Sequence, residues 1–138
     1  MIALTNDDTI KKKIHKICDK YGITNYTINT DGSIDVDGDV DLYWKDLTKL
    51  PLKFNNVSGN FICSRNNLTT LEGSPKSVSG HFYCYVNNLT TLEGSPQTVG
   101  GNFRCSDNPI SDQLGEIDYK SYIRQLNRDK ILNELLNR

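Results

Sequence analysis

A chain of 138 residues holds 16 Lys and Arg against 17 Asp and Glu, a formal charge of −1. One domain is the expectation at this length, and it can bury roughly two-thirds of its unfolded surface without cross-links. Near-neutrality gives no general attraction to nucleic acid or to anionic membrane, and no apolar run approaches the roughly 20 residues of a membrane span.

The opening MIALTNDDTIKKK lacks the apolar core of a signal peptide, so the expected compartment is the cytoplasm. A helix is expected next, with Asn6 or Asp7 as N-cap and Asp7 and Asp8 in its first turn. Ile10, Ile14, Ile17 and Tyr21 recur at helical spacing, and Gly22 ends the helix. Lys11, Lys12, Lys13 and Lys16 read as its solvated face, with an acidic partner as the alternative. Cys18, near the helix end, reads as a packing residue. YTINTDGSIDVDGDV then predicts a hairpin turning at Asp31-Gly32. Asp35, Asp37, Asp39 and Asp41 alternate with Val36, Gly38, Val40 and Leu42. Aligned on an EF-hand loop, this run puts Trp44 where a bidentate Glu is required. It is therefore expected to be one acidic strand face, solvated or in contact with a partner, and neither metal nor cofactor is expected.

From Val36 the chain repeats. NNLTTLEGSP stands at 66–75 and again at 87–96, an offset of 21. Stacked on that offset, VSGNFICSRNNLTTLEGSPKS, VSGHFYCYVNNLTTLEGSPQT and VGGNFRCSDNPISDQLGEID align, preceded by the weaker VDGDVDLYWKDLTKLPLKFNN. A fixed period near 20 is the mark of a solenoid. Within a row, Phe61 and Cys63 alternate with Asn60, Ile62 and Ser64, which predicts a short strand with the first pair inside and the other three on an open face. Asn66 marks the bend, its side chain serving backbone groups that the bend leaves unpaired, and Asn87 and Asn108 continue the ladder. Leu68 and Leu71 return to the core. Glu72-Gly73-Ser74-Pro75 is a polar turn. Gly59, Gly80 and Gly101 are expected to permit a tight turn into the strand, and Thr69 and Thr90 to satisfy local backbone groups. Cys63, Cys84 and Cys105 share one position and predict a column of structural thiols about 4.8 Å apart. A disulfide between neighbours or a metal site is the alternative, although no CxxC or Cys/His pairing is present.

The pattern F-x-C-x-x-N-x-L-T-x-L is close to the leucine-rich repeat signature. N-x-L-T-x-L-x-x-x-P resembles bacterial repeats of 20 to 22 residues, and GNFxCxxNxLTxLEGxP is similar to short leucine-rich repeat proteins of tailed bacteriophages and prophages. The lead-in YTINTDGSIDVDGDVDL with LTKLPLKFNNVSG extends the resemblance over about residues 24–110. It implies a parallel-stranded solenoid that binds proteins, and no common partner. The last row departs from it: Pro109 replaces the second Asn and ISDQLGEI replaces LTTLEGSP, which reads as the end of the array.

Solenoid ends need caps. EIDYKSYIRQLNRDKILNELLNR carries Tyr119, Tyr122, Ile123 and Leu126, then Ile131, Leu132, Leu135 and Leu136. One helix, or two broken near Asn127, is expected to cap the last coil, with a spare apolar stripe available for homodimerisation. The fold class is thus an α+β solenoid in a single domain spanning 1–138. Residues 1–35 form a helix-plus-hairpin cap, 36–110 a parallel-stranded leucine-rich repeat array, and 111–138 a helical cap.

Core letters are fixed by packing, so function is expected where the rows differ. Four columns result: Asp39, Asn60, His81, Asn102; Asp41, Ile62, Tyr83, Arg104; Tyr43, Ser64, Tyr85, Ser106; and Trp44, Arg65, Val86, Asp107. Tyr43, Trp44, Ile62, Arg65, His81, Tyr83, Tyr85 and Arg104 form the candidate partner-binding set, because aromatics beside Arg mark protein-binding surfaces. Cross-strand aromatic pairing that merely stabilises the sheet, or cover by the C-terminal helix, is the competing reading. Enzymatic activity is not expected: there is no carboxylate pair, triad or phosphate loop. Some bacterial effectors join such repeats to a ubiquitin-ligase domain, but only about 30 residues follow the last repeat here. The expected function is a non-catalytic protein-binding module, phage-encoded by resemblance, that occludes a host protein, with inhibition of host defence as one version. The alternatives are a structural or homo-oligomeric assembly component and, less favoured, a nucleic-acid binder that stacks bases on the aromatics.

Overall fold

The structure, a computed structural model, describes residues 6–114 and 119–137. Helix α1 spans Asn6–Lys20 and carries Asp7 and Asp8 in its first turn. The side chain of Asn6, one of the two expected N-caps, lies outside the described residues, as does that of Tyr119. Ile14 and Cys18 are buried, while Ile10 at the outer end stays about half exposed. The expected lysines Lys11, Lys12, Lys13 and Lys16 are exposed. Gly22 at φ 67° ends the helix. The Ile23 amide donates to the Cys18 carbonyl and the Gly22 amide to that of Asp19, the paired bonds of a Schellman cap.

The expected hairpin follows. β1 (Tyr26–Ile28) and β2 (Ile34–Val36) pair antiparallel. Asp31 Oδ1 accepts both the Ser33 amide and the Ser33 hydroxyl, and Gly32 takes φ 85°.

From here the chain winds as a parallel β-solenoid of about three turns with a spacing of about 21 residues. Each coil contributes two strands rather than the one expected. β4 (Phe54–Val57), β6 (Ser77–Val78) and β8 (Thr98–Val99) extend the hairpin into one sheet, ordered β1-β2-β4-β6-β8. β3 (Val40–Asp41), β5 (Phe61–Ile62), β7 (Phe82–Tyr83) and β9 (Phe103–Arg104) form a second sheet in that order. The second sheet's register is the one the repeat predicts: Val40 beside Phe61 beside Phe82 beside Phe103.

Inside the coil, identical positions stack. Phe61 and Phe82 lie with ring centroids 5.5 Å apart and planes 6° from parallel, and Phe82 and Phe103 at 5.1 Å and 9°. Leu68 and Leu89, Leu71 and Leu92, and Cys63 and Cys84 are wholly buried. The cysteines are free thiols, and burial pushes those of Cys63, Cys84 and Cys105 up. The asparagine ladder is present. Asn66 Oδ1 accepts the Lys45 and Leu47 amides of the coil before, and its Nδ2 donates to the Leu42 and Cys63 carbonyls. Asn87 and Asn108 repeat this one and two coils on.

Two expectations about small residues are corrected. Gly59 has no positive φ; a Cβ there would lie 2.6 Å from the Gly38 carbonyl carbon and 2.2 Å from Asp39 Oδ1. Gly59, Gly80 and Gly101 are thus required by the closeness of successive coils, not by a turn. Among the threonines, Thr70 and Thr91, not Thr69 and Thr90, accept backbone amides, those of Glu72 and Glu93.

α2 (Pro109–Leu114) and α3 (Tyr119–Leu136) follow, and α3 runs unbroken through Asn127. α3 lies along the return half of the coils. A cavity of about 590 Å³ between them is lined by Pro75, Lys76 and Leu92 on one side and Ile123, Leu126 and Lys130 on the other. Ile123 is buried, whereas Ile131, Leu132, Leu135 and Leu136 are 49 to 79% exposed. No described helix is long and apolar enough to cross a membrane.

Candidate interaction surface

The eight residues picked from the sequence lie in or beside the strands of the second sheet, Ile62, Tyr83 and Arg104 within them and the others just before or after, and the four columns do different work. The first is structural. Asp39 Oδ1 accepts the Asn60 amide, Asn60 Oδ1 the His81 amide, and His81 Nδ1 the Asn102 amide, at 2.7 to 2.8 Å. Each side chain folds over the glycine of the next coil, the space a Cβ would otherwise fill. His81 is therefore a coil connector. An imidazole accepting at Nδ1 carries its proton on Nε2. Its ring also stacks on Tyr83, with centroids 5.4 Å apart and planes 8° from parallel.

The second and third columns hold the tyrosines. Tyr83 and Tyr85 sit 5.9 Å apart, tilted by 51°. The Arg104 guanidinium lies 5.8 Å from the Tyr83 centroid, a cation–π distance. Ile62, between Asp41 and Tyr83 in register, is half-buried. Ser64 is a correction. It was expected on the open face, yet it is wholly buried. Its neighbours in the column are Tyr43 and Tyr85, on the coils before and after. Among the described residues its Oγ is the buried side-chain polar atom without a partner.

The fourth column has a backbone signature. Trp44, Arg65, Val86 and Asp107 all take φ between 53° and 56°. Every coil thus leaves the second sheet through a left-handed residue. Side chains there project from a bend. Trp44 is 73% exposed and Tyr43 38%.

Two shallow depressions result. One of about 430 Å³ is lined by Tyr43, Trp44, Asp46, Arg65, Asn67 and Val86. The other, of about 320 Å³, is lined by Tyr83, Tyr85, Arg104 and Ser106. Asp46 and Asn67 were not picked from the sequence; their offset of 21 was the available signal. α3 lies on the return side and does not roof either depression.

The chain matches no family model, and comparisons with curated proteins and with solved structures find no match. What stands is the architecture, a short parallel β-solenoid with a 21-residue spacing.

The acidic run is also corrected. Gly38, at φ 133°, turns the chain between the two sheets. Asp35 lies in β2 of the first sheet with Asp37 just after it, and Asp41 lies in β3 of the second with Asp39 just before it, so there is no single acidic strand face. Each carboxylate is also engaged. Asp35 accepts from Asn55 Nδ2 and the Asn56 amide, Asp37 from the Ser58 hydroxyl, and Asp41 from the Tyr43 amide. Partial burial raises the Asp35 carboxyl, but hydrogen bonds from Asn55, Asn56 and Asn29 outweigh it and hold the group below its ordinary value. Among the described residues no three His, Cys, Asp or Glu side chains converge on one point.

Proposed function

We propose that this chain is a non-catalytic protein-binding module of leucine-rich repeat type that acts by covering a surface of its partner. The repeat phrasing, similar to that of phage and prophage repeat proteins, supports a phage-encoded origin and a host protein as target in the host cytoplasm. Inhibition of a host defence protein is the concrete form of that reading. The observation that carries it is Trp44, 73% exposed beside Tyr43 and Arg65. A Trp side chain has only two torsions to fix on docking, and Trp, Tyr and Arg dominate binding hot spots.

The test is affinity capture from host cells with wild type and with Tyr83→Ala/Tyr85→Ala and Trp44→Ala variants, folding checked by circular dichroism. Partners retained by wild type and lost by the folded variants are expected. Identical partner lists would sink the reading. A homo-oligomeric role is favoured by a separate feature, the exposed Ile131, Leu132, Leu135 and Leu136 at the end of α3. Under that reading Leu132→Glu/Leu136→Glu converts an oligomer to a monomer in sedimentation; a wild-type monomer removes it.

A further inference from the structure

Arg65 and Arg104 are both exposed. The ion pairs among the described residues join Lys11 to Asp7 and Lys53 to Asp31, so neither Arg65 nor Arg104 has an acidic partner among the described residues. Each lines its own depression together with two aromatics, Arg65 with Tyr43 and Trp44 and Arg104 with Tyr83 and Tyr85, and the Arg104 guanidinium lies over the Tyr83 ring. A guanidinium flanked by rings keeps its forked donors outward and sheds part of its competing water, which suits a carboxylate.

Their separation follows from the register. Ile62, Tyr83 and Arg104 are neighbours on successive strands. Arg104 therefore lies two coils beyond the Arg65 coil, ~10 Å along the axis, and three positions nearer the strand start. The diagonal is about 14 Å, which an extended chain covers in roughly four residues. We infer that this face docks an extended protein segment whose two acidic side chains stand about four residues apart, one on each arginine, with an apolar residue against Trp44. The inference rests on the protein-binding reading above and adds to it the chemistry of the partner.

The same map disfavours a nucleic acid. Single strands present a phosphate at every nucleotide, and this face also exposes Asp41 and Asp46 on the first coil and Asp107 on the last. A segment charged at two points avoids them. Asp46, which shares the first depression, suits a backbone amide or a basic group beside the acid.

The probe is an array of short immobilised peptides carrying a Glu pair at that spacing around Leu or Phe, with matched Gln and Lys versions, and a short oligothymidylate alongside. The labelled full chain is the reporter, with Arg65→Gln, Arg104→Gln and Trp44→Ala as variants of exposed residues. The expected result is selective capture by the Glu peptides, weakened about tenfold or more by either Arg→Gln. Capture indifferent to Glu, Gln or Lys but lost with Trp44→Ala overturns the acidic specificity and leaves the protein-binding reading standing. Preference for oligothymidylate overturns both. Capture of nothing overturns the extended segment, and the affinity capture above then judges the protein-binding reading alone.

Discussion

Val86 is β-branched and held at φ 55°, where the left-handed conformation costs such a residue on the order of 1–2 kcal/mol. Asparagine tolerates that region. Val86→Asn is expected to stabilise the fold by about 1 kcal/mol, read as a higher urea midpoint at unchanged slope. Asn87 is the opposite case. Its side chain serves the Leu68 amide and the Cys63 and Cys84 carbonyls, all buried. Asn87→Ala strands these groups and is expected to destabilise by roughly 3–5 kcal/mol, against less than about 0.5 kcal/mol for the exposed Thr69→Ala. A chain that still unfolds at the wild-type urea concentration would contradict the ladder. The roles of Asn87 and of the leucines were legible because one chemistry recurs at one offset. Those of His81 and Ser64 were not. The His81 column reads as variable because Asp, Asn and His look different, yet all three supply the one acceptor that the next coil needs. Ser64 is buried although the alternation puts it outward, because alternation predicts a side and not how deeply that side is covered.

At the scale of elements, the hairpin is tied by a carboxylate. Asp31 accepts the Ser33 hydroxyl and amide and faces Lys53, and these bonds, the hydroxyl's first, hold its carboxyl well below the ordinary range. The folded value is the lower one, so the contribution is complete above the unfolded carboxylate value near ~3.9 and is lost as pH falls below it. Asp31→Asn is expected to lower stability at neutral pH and to flatten the acid limb of a stability–pH curve between about pH 4 and pH 2, so that the two curves converge in acid; an unchanged acid limb would refute this. The α1 helix and the hairpin were legible from spacing and from Asp31-Gly32. The strands of the first sheet from β4 onward were missed, since two to four residues such as Ser77–Val78 are too few to display alternation. The acidic run was misread for a related cause: Gly38 splits it between two sheets, and a corner leaves no trace in a period of two.

For the whole molecule, the repeat is a translation, with each coil a neighbour's copy in core, ladder and glycine contact. Inserting a second copy of residues 78–98 is expected to give a folded protein with a larger urea slope, because more surface is buried. An insertion one residue shorter breaks every column beyond it and is expected not to fold, as circular dichroism would report. If both insertions behave alike, the register is not what holds the coils. The same translation makes the molecule mechanically anisotropic. Hydrogen bonds between coils, such as Phe61 to His81 and Gly80 to Gly59, all run along the solenoid axis. A pull along that axis loads one coil boundary at a time and opens it like a zipper, each step releasing about 21 residues and roughly 70 Å of chain. A pull across the axis shears every bond of a boundary together. A partner that grips the second sheet from the side therefore meets the stiff direction of a protein that would yield readily if held by its ends.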